Sequence, residues 1–164
     1  MRLPKRLFQI YTLAHSDGLN TELWDIGCDH SLLARINMRE GRFSNVYCVD
    51  KSKSSLKKIL NDTNYMDLKT ITLVESDGCD LDWKMVRGAV VIAGVGGNTV
   101  LKVVQSCPES YRNRITWVLN PFTSVDKFLK EIVQFLPGRN VETFEIKENG
   151  RIRFIFRILP ILPS

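Results

Sequence analysis

The chain has 164 residues, of which 44% are hydrophobic, 25% charged and 9% aromatic. This length suits one domain, residues 1–164, and the composition excludes disordered, collagen-like and coiled-coil classes. No apolar run approaches the roughly 18 residues of a membrane span, and no continuous apolar stretch follows the basic N-terminus, so we expect neither a membrane protein nor a secretory signal. The 23 basic and 18 acidic residues give a net charge of +5, which is compatible with RNA as a partner and also common among soluble proteins.

The first predicted elements alternate between helix and strand. Pro4 precedes a helix with an apolar side at helical spacing, formed by Leu3, Leu7, Ile10 and Ala14,. A strand over 22–27 follows, then a helix that begins near Ser31 and ends at Gly41. The second strand covers 45–50, and Ser52 or Ser54 caps the next helix, whose apolar side is formed by Leu56, Ile59 and Leu60,.

The alternation continues over 70–74 (strand), 89–93 (strand), 98–104 (helix), 115–119 (strand) and 125–136 (helix). The strand over 89–93 is the most apolar, so we expect it at the centre of a parallel sheet, buried on both faces. Two further strands over 140–147 and 151–159 flank Glu148-Asn149-Gly150, a strong hairpin signal. The pattern predicts an α/β fold with a mostly parallel seven-stranded sheet, a C-terminal antiparallel hairpin and helices on both faces.

The four cysteines, Cys28, Cys48, Cys79 and Cys107, are far apart and form no Cys-x-x-Cys pair. Only His15 and His30 could join them, so we expect no metal site. Cys28 and Cys48 lie in apolar runs, where free thiols usually pack as small hydrophobic groups. This pattern favours a reducing, cytoplasmic location.

Polar residues or glycines follow every predicted parallel strand, at 25–30, 50, 76–78, 94–97 and 120–122. In open α/β sheets ligands bind at the carboxyl ends of the strands, so these segments predict one site. Gly27 permits a tight turn, and the helix near Ser31 directs N–H groups at a carboxylate or phosphate. Asp50, about 25 residues after Asp25, lies at the usual spacing for an acid that binds ribose hydroxyls.

Further residues at these ends have suitable chemistry for a base. Asp77 could accept a hydrogen bond from an exocyclic amine such as that of adenine. Asp29 and His30 could face the reacting group, Asn120 could bond a substrate amine, and Phe122 could stack on a flat base. Each residue taken alone also suits a structural role, as a helix cap, a turn residue, a satisfied histidine or a core side chain. Their joint placement at successive strand ends is the more specific signal.

At these residues the chain resembles the bacterial tRNA (adenine-22-N1)-methyltransferase family, a group of class I enzymes with a Rossmann-like fold that use S-adenosylmethionine. The resemblance covers nearly the whole chain and is carried by short segments: Lys5-Arg6-Leu7, Asp25-Ile26-Gly27-Cys28-Asp29-His30, Ser76-Asp77-Gly78 and Ile92-Ala93-Gly94-Val95-Gly96-Gly97. Asn120-Pro121-Phe122 departs from the Gln-Pro-Asn usual in that family and looks more like the Asn-Pro-Pro-Phe motif of enzymes that methylate amino groups of bases. The chain ends at Ser164, whereas family members commonly continue into a helical extension.

The resemblance implies methyl transfer from S-adenosylmethionine to a base nitrogen of RNA, with adenine N1 of tRNA as the expected target. It implies a cofactor site formed by Asp25, Gly27, Asp29, Asp50, Lys51, Asp77, Gly78 and Gly94. The implied catalytic residues are Asp29, His30 and Asn120, and the implied substrate-binding residues are Arg6, Asn120, Pro121 and Phe122. Arg2, Lys5, Lys53 and Arg151 are further candidates for phosphate contacts, although a solvated basic surface explains them equally well.

Two other interpretations remain open. A methyltransferase fold that has lost catalysis could act as an RNA-binding or adaptor protein, although the retained Asp25, Asp50 and Asp77 argue against such decay. A nicotinamide-dependent oxidoreductase fits less well, because Gly-x-Gly-x-x-Gly is absent after the first strand and the chain ends in a hairpin,.

Overall fold

A computed structural model describes residues 4–16, 18, 20–62 and 68–161. The strands are β1 Glu22–Ile26, β2 Asn45–Asp50, β3 Ile71–Glu75, β4 Ala89–Ala93, β5 Thr116–Asn120, β6 Val141–Glu148 and β7 Arg151–Ile158. The helices are α1 Lys5–His15, α2 Leu32–Glu40, α3 Lys53–Asp62, α4 Gly97–Ser106, α5 Glu109–Arg112 and α6 Val125–Phe135. Leu3 and Arg2, named above, lie outside the described residues, as does the side chain of Leu60.

The seven strands form one sheet in the order β3-β2-β1-β4-β5-β7-β6. The first five strands are parallel, and β7 pairs antiparallel with both β5 and β6. The chain order reverses between β1 and β4, so the ends of these two strands frame the topological switch point where ligands bind in this class of sheet. The predicted seven-stranded, mostly parallel α/β sheet with its C-terminal hairpin is therefore confirmed.

Two hydrophobic cores cover the two faces of the sheet. On one face Val90 and Ile92 of β4 pack with the buried sides of α4 and α6. On the other face Ala89 and Val91 pack with α1, α2 and α3. Because β4 is buried on both sides, an all-apolar strand suits this central position, as predicted.

Local signals account for most element boundaries. Gly41 adopts φ 64° at the end of α2, a left-handed conformation that glycine tolerates well,. The Ser52 hydroxyl accepts a hydrogen bond from the Ser55 N–H at 3.3 Å, which makes Ser52 the cap of α3,. The predicted bounds of β3 and β5 are each one residue too early, and the short helix α5, which follows Pro108, was not predicted.

The hairpin of β6 and β7 lies at one edge of the sheet. β7 runs antiparallel to β5, so the turn at Asn149 and Gly150 lies toward the carboxyl end of the parallel strands. Helix α1 packs across β4 and β5 and also contacts the hairpin. The start of α1 and the hairpin are thereby brought to the edge where the polar strand ends converge.

Candidate active site

A cavity of about 770 Å³ opens at the carboxyl ends of β1 to β4. This volume is in the range typical of small-molecule sites, about 300 to 1,000 Å³. The wall includes eight residues predicted for the site: Arg6, Asp25, Gly27, His30, Asp50, Lys51, Asp77 and Gly94. The strand ends that are separate in the sequence thus meet around one space.

The loop after β1 forms one wall of the cavity and has unusual backbone geometry. Gly27 adopts φ 77°, and its N–H donates to Val49 O at 2.8 Å, which ties the loop to β2. His30 and Ser31 follow with φ 60° and 46°, and two successive non-glycine residues in this region store strain,. The hydroxyl of Ser31 is buried and has no hydrogen-bond partner among the described residues. The Asp29 side chain lies outside what the structure describes, so its predicted roles stay predictions.

Two carboxyl groups differ sharply in environment within the cavity. Asp25 is only 6% exposed, and its burial, reinforced by the charge of Asp50, raises its pKa to about 7,. One oxygen of Asp50 accepts the Ser52 N–H at 2.8 Å, which fixes the carboxylate and leaves the other oxygen available to a ligand. Lys51 is exposed at the rim.

The loop after β3 closes the opposite wall. Asp77 is exposed and accepts the Cys79 N–H at 2.8 Å, while the Ser76 hydroxyl donates to Asp80 and accepts the Gly78 N–H. Gly78 does not line the cavity. At φ 90° a β-carbon there would lie 2.7 Å from Ile26 Cγ2, so glycine is needed for close packing of the loop on β1,.

Several lining residues were missed by the sequence reasoning. Thr99, Lys102 and Val103 of α4 line the cavity, as does Cys79, whereas Cys28 and Ser76 also line it but lie in the predicted strand-end segments. The helical spacing of Thr99 and Lys102, after a glycine-rich strand end, was an available signal for the first turns of α4. The thiol pKa of Cys28 is raised by its hydrogen bond with Cys48 and by burial.

The segment after β5 lies outside the wall of this cavity. Asn120 is 1% exposed, and its side chain is held between Arg6, whose Nη1 donates to Asn120 Oδ1 at 2.6 Å, and Phe154 O, which accepts from Nδ2 at 2.7 Å. Pro121 is buried, whereas Phe122 is 38% exposed. The roles predicted for Asn120, Pro121 and Phe122 stay predictions, and the structure gives Asn120 a structural use as well.

Arg6 connects the cavity with the segment after β5. Its side chain, 12% exposed, lines the cavity and forms an ion pair with Glu148 at 3.0 Å in addition to the Asn120 bond. A guanidinium with two protein partners is held in place. Arg6 therefore positions α1, β5 and the hairpin relative to one another at the mouth of the cavity.

The arrangement can bind an extended ligand that carries positive charge and hydroxyl groups. The ionised form of Asp25 would accept a cationic group, and Asp50 and Asp77 present carboxylate oxygens to hydroxyl or amine donors. Over the described ranges, no cluster of three His, Cys, Asp or Glu residues could hold a metal ion. No described helix is long and apolar enough to cross a membrane.

Comparison with solved structures supports the same architecture. TrmK of M. capricolum, determined with S-adenosyl-homocysteine, is 21% identical and matches 97% of this chain and 69% of its own, with a TM-score of 0.78. Sp1610 of Streptococcus pneumoniae, determined with S-adenosyl-L-methionine, is 16% identical over 99% of this chain and 76% of its own, with a TM-score of 0.82. The m1A22 tRNA methyltransferase TrmK of B. subtilis is 16% identical over 97% and 67%, with a TM-score of 0.70.

These structures share the fold of the chain. No curated protein matches the sequence significantly. A family model described as a methyltransferase domain matches residues 3–149, a span that includes the four strand ends around the cavity. The chain therefore belongs to the methyltransferase domain family.

Proposed function

We propose that the chain transfers a methyl group from S-adenosylmethionine to a base nitrogen of RNA, with adenine N1 of tRNA as the target. The observation that carries this proposal is the convergence of Asp25, Gly27, Asp50 and Asp77 on one cavity of about 770 Å³ in a methyltransferase fold. The structures of shared fold that are described as tRNA methyltransferases support the substrate class.

The residues of the cavity fit S-adenosylmethionine in charge and hydrogen-bonding capacity. The methionine end would lie at Gly27 and the start of α2, where first-turn N–H groups favour a carboxylate. Asp25 is buried at the same end and would meet the ligand's positive charge once ionised. Asp50 would accept the ribose hydroxyls through its unbonded oxygen, and Asp77 would accept the adenine amine,. When bound, the cofactor supplies an activated methyl group.

Methyl transfer requires the protein mainly to position the base nitrogen against the methyl group. Adenine N1 has an available lone pair near neutral pH, so its attack needs no strong base. Alignment of the two reactants can supply much of the rate. The carboxylate of Asp29, with His30 beside it on the strained loop, would stabilise the positive charge that develops on the base. A base within a tRNA stem must leave its stack, and the exposed ring of Phe122 would receive it,.

The proposal is tested with S-adenosylmethionine labelled in its methyl group. The chain is incubated with a tRNA transcript that has adenine at position 22 and, separately, with the same transcript carrying guanine there. We expect labelled 1-methyladenosine from the first transcript and none from the second, read by mass spectrometry of the digested RNA. Label in a different nucleoside would contradict the target atom.

The interpretation as a decayed fold makes a different prediction. A chain that binds tRNA but neither binds S-adenosylmethionine nor transfers its methyl group would contradict the enzyme and support an RNA-binding role. The fixed carboxylate of Asp50 and the open cavity favour the enzyme.

A further inference from the structure

An aromatic ring flanked by two arginines lies beside the mouth of the cavity. Phe122 follows β5, Arg153 belongs to β7 and Arg6 belongs to α1; we call these three residues the Phe122 cluster. The guanidinium of Arg153 lies 4.0 Å from the centre of the Phe122 ring, and that of Arg6 lies 5.7 Å from it. Since Arg6 also lines the cavity, the Phe122 cluster is continuous with the candidate active site.

The two arginines of the Phe122 cluster differ in their other partners. Arg6 is only 12% exposed and uses two of its donors within the fold, to Glu148 and Asn120. Within the part of the chain that the structure describes, Arg153 Nε has no hydrogen-bond partner, although the atom is buried. A guanidinium has five N–H donors. Arg153 therefore places a charged group with an unpaired, buried Nε beside an exposed aromatic ring, and its terminal N–H groups are the ones that could reach a ligand.

Arg153 forms no ion pair with any of the described residues, and the register of the hairpin explains why. Three arginines alternate along β7, and the residues opposite them in β6 are Glu148 for Arg151, Ile146 for Arg153 and Glu142 for Arg157. Arg157 uses its opposite carboxylate, with Nε to Glu142 Oε2 at 2.5 Å. The arginine that faces isoleucine is the one that lies on Phe122. Arg153 therefore has no carboxylate directly opposite it in β6 to neutralise its charge.

We propose that Arg153 is a substrate-binding residue that contacts a phosphate of the RNA strand next to the target nucleotide. An aromatic face joined to a cationic groove is the usual arrangement for single-stranded nucleic acid, where the base stacks and the backbone is neutralised. The planar guanidinium can lie on the ring and still direct its N–H edge at a phosphate, which a lysine ammonium cannot do. This inference rests on the proposed function, because it takes RNA as the substrate.

The test measures the affinity of the chain for a labelled tRNA transcript with adenine at position 22, across a series of potassium chloride concentrations. We expect Arg153→Gln to weaken binding about tenfold. The slope of log affinity against log salt should fall by about 1, the signature of one lost phosphate contact. Affinity for S-adenosylmethionine should stay at the value of the unmodified chain, because Arg153 does not line the cavity.

Two further variants separate charge from stacking. Arg114→Gln is the matched control, since Arg114 is exposed just before β5, at the opposite end of that strand, and its loss changes the net charge equally. We expect this variant to keep the original salt slope. Arg153→Lys should keep the slope but lose part of the affinity, because its charge remains while its contact with the Phe122 ring does not.

An unchanged salt slope in Arg153→Gln would overturn the inference, whether or not the affinity falls. A fall in affinity with a lower melting temperature and an unchanged slope would mean that Arg153 only supports Phe122. The proposed function is tested separately, by measuring methyl transfer. A chain whose tRNA binding responds to Arg153→Gln as expected, but which transfers no methyl group, supports the phosphate contact and contradicts the enzyme.

Discussion

At the scale of single residues, Asp25 has the environment most relevant to pH. Its carboxyl is buried beside Asp50, and both effects favour the protonated form,. The folded chain holds this proton up to pH about 7, whereas an unfolded carboxyl loses it near its ordinary pKa of 3.8. The resulting stabilisation is therefore fully present below pH 3.8 and is lost as the pH rises through about 7.

This linkage predicts that the free energy of unfolding decreases between about pH 4 and pH 7 and levels off above that range,. Asp25 alone would contribute on the order of 4 kcal/mol over its whole range. We expect Asp25→Asn to flatten the pH dependence, because the amide does not titrate, as measured by urea unfolding at several pH values. Asp82→Asn, at an exposed acid outside the cavity, should keep the original dependence. Equal slopes for Asp25→Asn and the unmodified chain would show that Asp25 does not have the raised pKa.

Asp50 and Gly78 show how far residue patterns predict roles. The spacing of Asp50 from Asp25 identified a carboxylate that lies on the cavity, since parallel strand ends meet at one edge. Gly78 was predicted to bind the cofactor with Asp77, a role that stays a prediction, and the structure shows in addition that it packs against Ile26 and Val103. A close approach between a loop and a strand leaves no trace in the local sequence.

At the scale of elements, the loop between β1 and α2 combines strain with an unpaired buried hydroxyl. Ser31 adopts φ 46°, and its Oγ lacks a partner among the described residues. Glycine would relieve the strain of the left-handed φ and remove the buried polar atom. It would also raise the conformational entropy of the unfolded chain, which offsets part of the gain. We expect Ser31→Gly to raise the free energy of unfolding by about 1 kcal/mol, measured by urea titration.

Ser124 provides a matched comparison for that loop. It adopts φ 56° before α6 but is exposed, so Ser124→Gly relieves strain without removing a buried hydroxyl. We expect a smaller gain for Ser124→Gly, about 0.5 kcal/mol. A loss of stability in Ser31→Gly would contradict this account and would mean that the serine hydroxyl stabilises the folded loop.

Elements with strong local patterns were predicted well. The all-apolar run 89–93 was identified as β4 with its observed bounds, and Asn149-Gly150 identified the hairpin. The helix α5 was missed because four residues are too few to show a helical period. The turn Asp29–Ser31 was also missed, because the left-handed φ of His30 and Ser31 is imposed by the surrounding structure and not by residue type,.

At the scale of the whole molecule, the site depends on contacts between distant segments. Arg6 bonds Asn120 and Glu148, which are 114 and 142 residues away in the chain. No spacing rule relates these residues, so sequence reasoning placed Arg6 and Asn120 in the site without predicting that they bond each other. The switch point between β1 and β4, in contrast, follows from the strand order,. The cavity position was therefore predictable, and the links that surround it were not.

The most direct test of the account is a calorimetric titration of the chain with S-adenosylmethionine and with S-adenosyl-homocysteine. We predict micromolar binding of both, abolished in Asp50→Ala and retained in Asp126→Ala, which removes an exposed acid of α6 outside the cavity. The expected loss has a direct physical reason, since in the proposed site the second carboxylate oxygen of Asp50 would accept the ribose hydroxyls,. No binding at millimolar ligand, or equal binding by Asp50→Ala and the unmodified chain, would contradict the cofactor site and the methyl transfer that depends on it.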